Sequence, residues 1–122
     1  ANLDLVKRLG ADIVIDYKKD DFETILHEYD VVLNSQGGET LEKSLRVLKP
    51  GGRLYFAVPC GIERLDFNAH RIFAVETVLR GFGSLRLESF SCVTDDHRFH
   101  PDCSLEIIKN ERYGCGMFEF SK

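Results

Sequence analysis

The segment Asn34-Ser35-Gln36-Gly37-Gly38 has the residue types and the position in the chain best suited to chemistry. It follows the apolar run Tyr29-Asp30-Val31-Val32-Leu33 and precedes a helix-like stretch. In open α/β sheets, ligands settle at this carboxyl end of a strand. An amide, a hydroxyl and two glycines there suit contact with a cofactor ribose. The competing reading is a plain turn and helix start, with the glycines serving backbone freedom. Asp16 and Tyr17 end an earlier apolar run and are expected either to touch an adenosine or to form a solvated strand end. The candidate cofactor-binding set is therefore Asp16, Tyr17, Asn34, Ser35, Gly37 and Gly38.

Other reactive side chains form weaker patterns. Cys92, Asp95, Asp96, His97, His100 and Cys103 make the densest group of metal-ligand types. Tetrahedral zinc takes such nitrogen and sulfur donors, but no paired Cys-x-x-Cys knuckle is present, so chance clustering in a polar loop is favoured and no metal is assigned. Asn68-Ala69-His70-Arg71 offers an acid/base or phosphate-binding group, or else a brace for a helix start. Cys60, just after Pro59, has no general base beside it in sequence and reads as an inert thiol. Ser35 lacks the Gly-x-Ser-x-Gly elbow that exposes a hydrolase nucleophile.

The elements that must position these residues are legible from periodicity. Leu41, Leu45 and Leu48 lay an apolar stripe along a helix from Glu39 to Leu48. Lys49-Pro50-Gly51-Gly52 then stops the helix and reverses the chain. Arg53 to Val58 reads as a buried strand. Strand, helix, strand is a βαβ unit, which brings a parallel sheet. Upstream, a helix tail from Asn2 to Leu9 ends at Gly10, Asp12 to Tyr17 reads as a further strand, and Phe22 to His27 as a short helix. Downstream, Gly61 to Arg71 reads as loop and Phe73 to Leu79 as helix. Leu85 to Phe90 and Cys115 to Phe120 alternate as strands.

Composition narrows the function classes. The 122 residues are 43% hydrophobic and 30% charged, the balance of one soluble globular domain. A net charge of −4 and a pI near 5.5 argue against broad nucleic-acid binding. No apolar run approaches the ~18 residues of a membrane span. Four cysteines in an α/β pattern suit reduced thiols, and a cytoplasmic address is expected. Ala1 in place of Met is expected of a processed or excised segment.

Two resemblances follow from particular residues. Leu5-Val6-Lys7-Arg8-Leu9-Gly10-Ala11-Asp12, Val14-Ile15-Asp16-Tyr17-Lys18 and Tyr29 through Leu41 resemble the cofactor-domain segment of zinc-type alcohol dehydrogenases and quinone oxidoreductases, the medium-chain reductases. This resemblance covers residues 1–59 and implies an NADPH-binding Rossmann segment. It implies that Tyr17 lies near the adenosine phosphate and that the loop from Asn34 to Gly38 approaches the ribose and nicotinamide. Val47 to Pro59, Phe67 to Phe73 and Tyr113 to Phe118 resemble an uncharacterised domain family of nematodes and bacteria related to class I methyltransferases. That second resemblance covers residues 45–122 and implies S-adenosylmethionine as an alternative cofactor. The two overlap at the Leu-Lys-Pro-Gly-Gly turn, which points to a chimeric sequence joined there.

The expected fold is thus a single α/β domain: a partial Rossmann-like three-layer sandwich with three parallel strands and two C-terminal strands, the last antiparallel. Residues 1–59 form its reductase-like half and residues 60–122 its methyltransferase-like ending. No Gly-x-Gly-x-x-Gly occurs in the chain, so the loop that grips a dinucleotide pyrophosphate is missing. A partial NADP-binding domain without activity of its own is the first functional expectation. A methyltransferase-like module and a recombined fold without a ligand are the others. An incomplete sheet would leave a strand edge open, through which a second copy is expected to pair.

Overall fold

The computed structural model describes residues 2–35, 38–67 and 70–122. Its helices are α1 (Leu3–Arg8), α2 (Gly38–Val47) and α3 (Val75–Gly81). Its strands are β1 (Tyr29–Asn34), β2 (Leu48–Cys60), β3 (Arg64–Asp66), β4 (His70–Ile72), β5 (Arg86–Val93), β6 (Phe99–His100) and β7 (Gly114–Ser121). Five strands form one sheet in the order β1-β2-β7-β5-β6, and β3 and β4 form a separate hairpin.

The βαβ unit is present as β1, α2 and β2, with Val32 opposite Leu54 and Asn34 opposite Phe56 in parallel register. The last strand is antiparallel to its neighbours, as expected, and lies between β2 and β5 at the centre of the sheet. The mixed α/β sheet is thus a partial Rossmann-like fold, with two departures. The sheet's one parallel pair is β1–β2, so two strands are parallel rather than three. The expected strand at Asp12 to Tyr17 is irregular chain ending in a turn, in which Asp16 Oδ1 accepts from Lys18 N at 3.2 Å and Asp16 O accepts from Lys19 N at 2.8 Å. An aspartate that bonds the backbone two residues on makes such a turn locally, and no ladder competes with it.

The second departure concerns layers. Alternation along β2, β7 and β5 sends Leu54, Phe56, Val58, Phe90, Cys92, Phe118 and Phe120 to one face, where Val75, Val78 and Phe82 pack on them. The rings of Phe82 and Phe120 stack at 4.5 Å, and those of Phe90 and Phe118 lie 4.8 Å apart. Leu41 and Leu45 bring α2 onto the edge of the same core. The opposite face, with Leu33, Tyr55, Ala57, Phe99 and Met117 along a shallow groove, has no helix over it among the described residues. Leu33 is 78% exposed and Phe99 59%. The described arrangement therefore has two layers, where three were expected.

The Lys-Pro-Gly-Gly segment also differs from expectation. It does not precede β2 but lies inside it as an irregularity: Tyr29 faces Leu48 while Val31 already faces Arg53. Gly51 has a φ of +78°, and a Cβ on Gly52 would stand 2.9 Å from the Lys49 carbonyl oxygen. Both glycines are needed for the chain to kink and still rejoin the ladder.

Candidate functional site

The carboxyl end of β1 is built from the side chain of Asn34 outward. Asn34 is buried, and its Nδ2 donates to Ser44 Oγ at 3.0 Å. Ser44 Oγ in turn donates to the Thr40 carbonyl oxygen, one turn earlier on α2, at 2.8 Å. Strand and helix are thereby locked at the point where β1 ends. An amide is suited to this place because one short side chain carries both donors and an acceptor. Around the pair lies a cleft of about 380 Å³ whose walls include Phe22, Leu26, Val32, Asn34, Ser35 and Thr40.

A second cleft of about 630 Å³ shares Phe22 and Thr40 with the first. Tyr17, Asp20, Asp21, Glu39 and Lys43 complete it. Its charge is organised by Lys43, whose Nζ bonds the Asp21 carboxylate and lies 3.5 Å from Glu23 Oε1 and 3.6 Å from Glu39 Oε1. The bond to Asp21 and the surrounding carboxylates hold the Lys43 ammonium above its ordinary pKa. Glu23 Oε2 is buried and receives no hydrogen bond from any described residue. The cleft is therefore net acidic, with its cation already engaged. Such a surface accepts hydrogen bonds from hydroxyls better than it holds phosphate.

The expected residues are distributed as follows. Asn34 and Ser35 line the first cleft and Tyr17 the second, where its ring is 78% exposed. Asp16 lines neither cleft; its carboxylate closes the turn before Tyr17. Gly38 opens α2, and Gly37 lies outside the described residues. Sequence reasoning missed Ser44, Phe22 and Lys43. The i, i+4 spacing of Glu39 and Lys43 was a usable signal for the last, because those positions share one helix face. Nothing in the sequence marked Ser44 beyond its place on the helix.

The remaining candidates have structural partners. His70 meets the Tyr113 ring edge-on at 5.7 Å, and Arg71 lies over Phe73 at 4.8 Å while donating to Glu63 Oε1 at 3.3 Å. Both belong to β4, and Asn68 and Ala69 of the same motif lie outside the described residues. Cys60 is fully buried, and burial pushes its thiol up to about 12, the opposite of an activated nucleophile.

The model of the zinc-binding dehydrogenase family matches residues 9–106, and the chain belongs to that family. A 2-methylene-furan-3-one reductase of Solanum lycopersicum is 48% identical over 50 residues, covering 41% of this chain and 12% of that protein. The chloroplastic NADPH-dependent alkenal/one oxidoreductase of Arabidopsis thaliana is 42% identical over 52 residues, covering 43% of this chain and 13% of that protein. The match thus spans about an eighth of the length of these relatives. The family match runs through residue 59 and across the expected join, and neither it nor these relatives lends support to S-adenosylmethionine.

The family name raises zinc, and the donor set here does not fit it. The Cys92 and Cys103 sulfurs are in contact at 3.6 Å, His100 Nε2 pairs with the Thr94 hydroxyl at 3.2 Å, and no three His, Cys, Asp or Glu among the described residues are placed around one point.

Proposed function

We propose that this chain is part of the NADP(H)-binding domain of an oxidoreductase that reduces activated carbon–carbon double bonds. The observation that carries the reading is the paired cleft at the carboxyl end of β1, in a chain of the zinc-binding dehydrogenase family. Asn34 and Ser35 face the nicotinamide ribose, and Tyr17 lies against the adenosine end. Asp16 acts on the cofactor only by holding the turn that presents Tyr17. The acidic lining accepts from ribose hydroxyls, while the pyrophosphate is gripped elsewhere, since the chain has no Gly-x-Gly-x-x-Gly. Without that grip the chain binds weakly and does not turn over alone.

Thermal melting with millimolar NADPH, NADH and S-adenosylmethionine tests this, because a ligand of the native state raises the midpoint by mass action. NADPH and NADH are both expected to raise it, and S-adenosylmethionine to leave it in place. Tyr17→Ala, at an exposed position, is expected to weaken the response roughly tenfold through lost stacking while leaving the ligand-free midpoint in place. A cooperatively melting chain that ignores NADPH sinks the proposal.

Residues 1–122 are proposed to act as one domain, in a reducing compartment such as the cytoplasm, where four free thiols persist. No helix among the described residues is long and apolar enough to cross a membrane. β1 is an edge of the five-stranded sheet, and a second copy is proposed to pair along it. Light scattering that returns the monomer mass across the micromolar range would remove the dimer.

A further inference from the structure

The four cysteines do not stand in equivalent places. Cys60 and Cys92 point into the core on either side of the centre of β7, where a Cβ on Gly116 would come within 2.7 Å of Cys60 Sγ. Cys115 lies in the alternate set of β7, away from them. Cys103 is different again. The chain leaves β6 and runs back beside β5, with Cys103 N donating to Phe90 O at 2.7 Å and Asp102 N to Ser91 Oγ at 3.0 Å. These bonds set the partly exposed Cys103 sulfur 3.6 Å from the sulfur of Cys92, which is fully buried. The two are far enough apart to be thiols, yet their sulfurs are in contact at 3.6 Å and need close by only about 1.6 Å to reach a disulfide bond length.

We infer that Cys92 and Cys103 are a dithiol site that hydrogen peroxide converts to a disulfide, fastening the return segment after β6 onto β5. Cys103, on the solvent side, meets the oxidant first. Its thiolate sulfur attacks one peroxide oxygen, the O–O bond breaks, and a sulfenic acid and hydroxide result. The Cys92 sulfur then attacks that sulfur as its thiol gives up a proton; the S–S bond forms, the S–O bond breaks, and the leaving hydroxide takes that proton to become water. In sum the two thiols lose two electrons and two protons, and peroxide becomes two waters. Burial pushes the Cys92 thiol up to about 12, so Cys92 is the resolving partner and not the first target.

The bond would do more than record an oxidation. The segment from Thr94 to Asp102 carries Phe99, which lines the groove on the open sheet face. It is already held by the β6 ladder, with Val93 opposite Phe99, and by the Asp95 carboxylate, which accepts from Arg112 N at 2.6 Å and Tyr113 N at 2.8 Å. A link at Cys103 would add a covalent hold at the far end.

The test uses the full chain in native buffer, treated with hydrogen peroxide, blocked with an alkylating agent and digested with trypsin without reductant. The expected result is a loss of about 2 Da from the intact mass and one linked pair, the peptide 87–98 joined to 99–109. Dithiothreitol should reverse both. The melting midpoint of the oxidised chain should rise by at least about 5 °C, as a short closed loop warrants. Cys103→Ser, at a partly exposed position, should abolish the linked pair and the mass loss while remaining folded. A link through Cys60 or Cys115, or Cys103 accumulating as sulfinic acid with Cys92 unmodified, would overturn the inference.

Discussion

The front of the chain and its sheet are built on opposite terms. From Asn2 to Leu33 no described residue is fully buried, and α1 contributes nothing to the core. Among the described residues, all fifteen buried apolar ones lie from Val47 onward. Yet Tyr17, Asp20, Asp21 and Phe22, which wall the candidate clefts, come from the front, while the sheet contributes β1 alone, beside the helix α2. The proposed recognition site and the buried core thus draw on different parts of the chain. Ligand-binding segments are drawn from the least stable parts of a fold, because they must rearrange around what they bind.

That contrast is sharpest under mutation. Phe118→Ala removes a ring that is 1% exposed and lies beside both Phe90 and Phe120, and should cost about 3–5 kcal/mol in urea unfolding, enough to leave a marginal domain largely unfolded. A smaller effect is expected from acid. Hydrogen bonds from Ser121 and Arg86 hold the Glu88 carboxyl down to about 2 from an ordinary 4.5. A depressed native pKa contributes stability that is complete above 4.5 and is lost as pH falls toward about 2. Melting midpoints should therefore decline across that window, and Glu88→Gln should flatten the decline. Smallest of all, Leu9→Ala at a 78% exposed position should move the unfolding midpoint by no more than about 0.5 kcal/mol. A large loss at Leu9, or a mild one at Phe118, would erase the division.

What the sequence revealed follows the same line. The stripe Leu41, Leu45, Leu48 located α2 within a residue, and the alternation from Cys115 to Phe120 located β7, because burial on one face leaves a period in the chain. Ile13, Val14 and Ile15 read as a strand by residue type, but β-branching states only a fitness for a pleated surface, and no neighbouring strand supplies one there. The hairpin of β3 and β4 went unread, since three-residue strands hold too few alternations to show a period. The central place of β7 was also hidden: strand order is a property of long-range pairing that local pattern does not carry. At the site, Asn34 was legible from its position after an apolar run. Ser44 was not, because its role arises only once helix and strand meet.

The position of β7 has a consequence for how the molecule comes into being. Of the seven strands among the described residues, the one farthest along the sequence, β7, joins β1 and β2 to β5 and β6. Until Ser121 has emerged from the ribosome, the nascent chain carries two separate fragments of sheet with apolar faces and unpaired edges. Closure of the domain is therefore a late, single event governed by contacts distant in sequence, which is slow by nature. In the cell, this sheet is most exposed to misassembly just before β7 arrives.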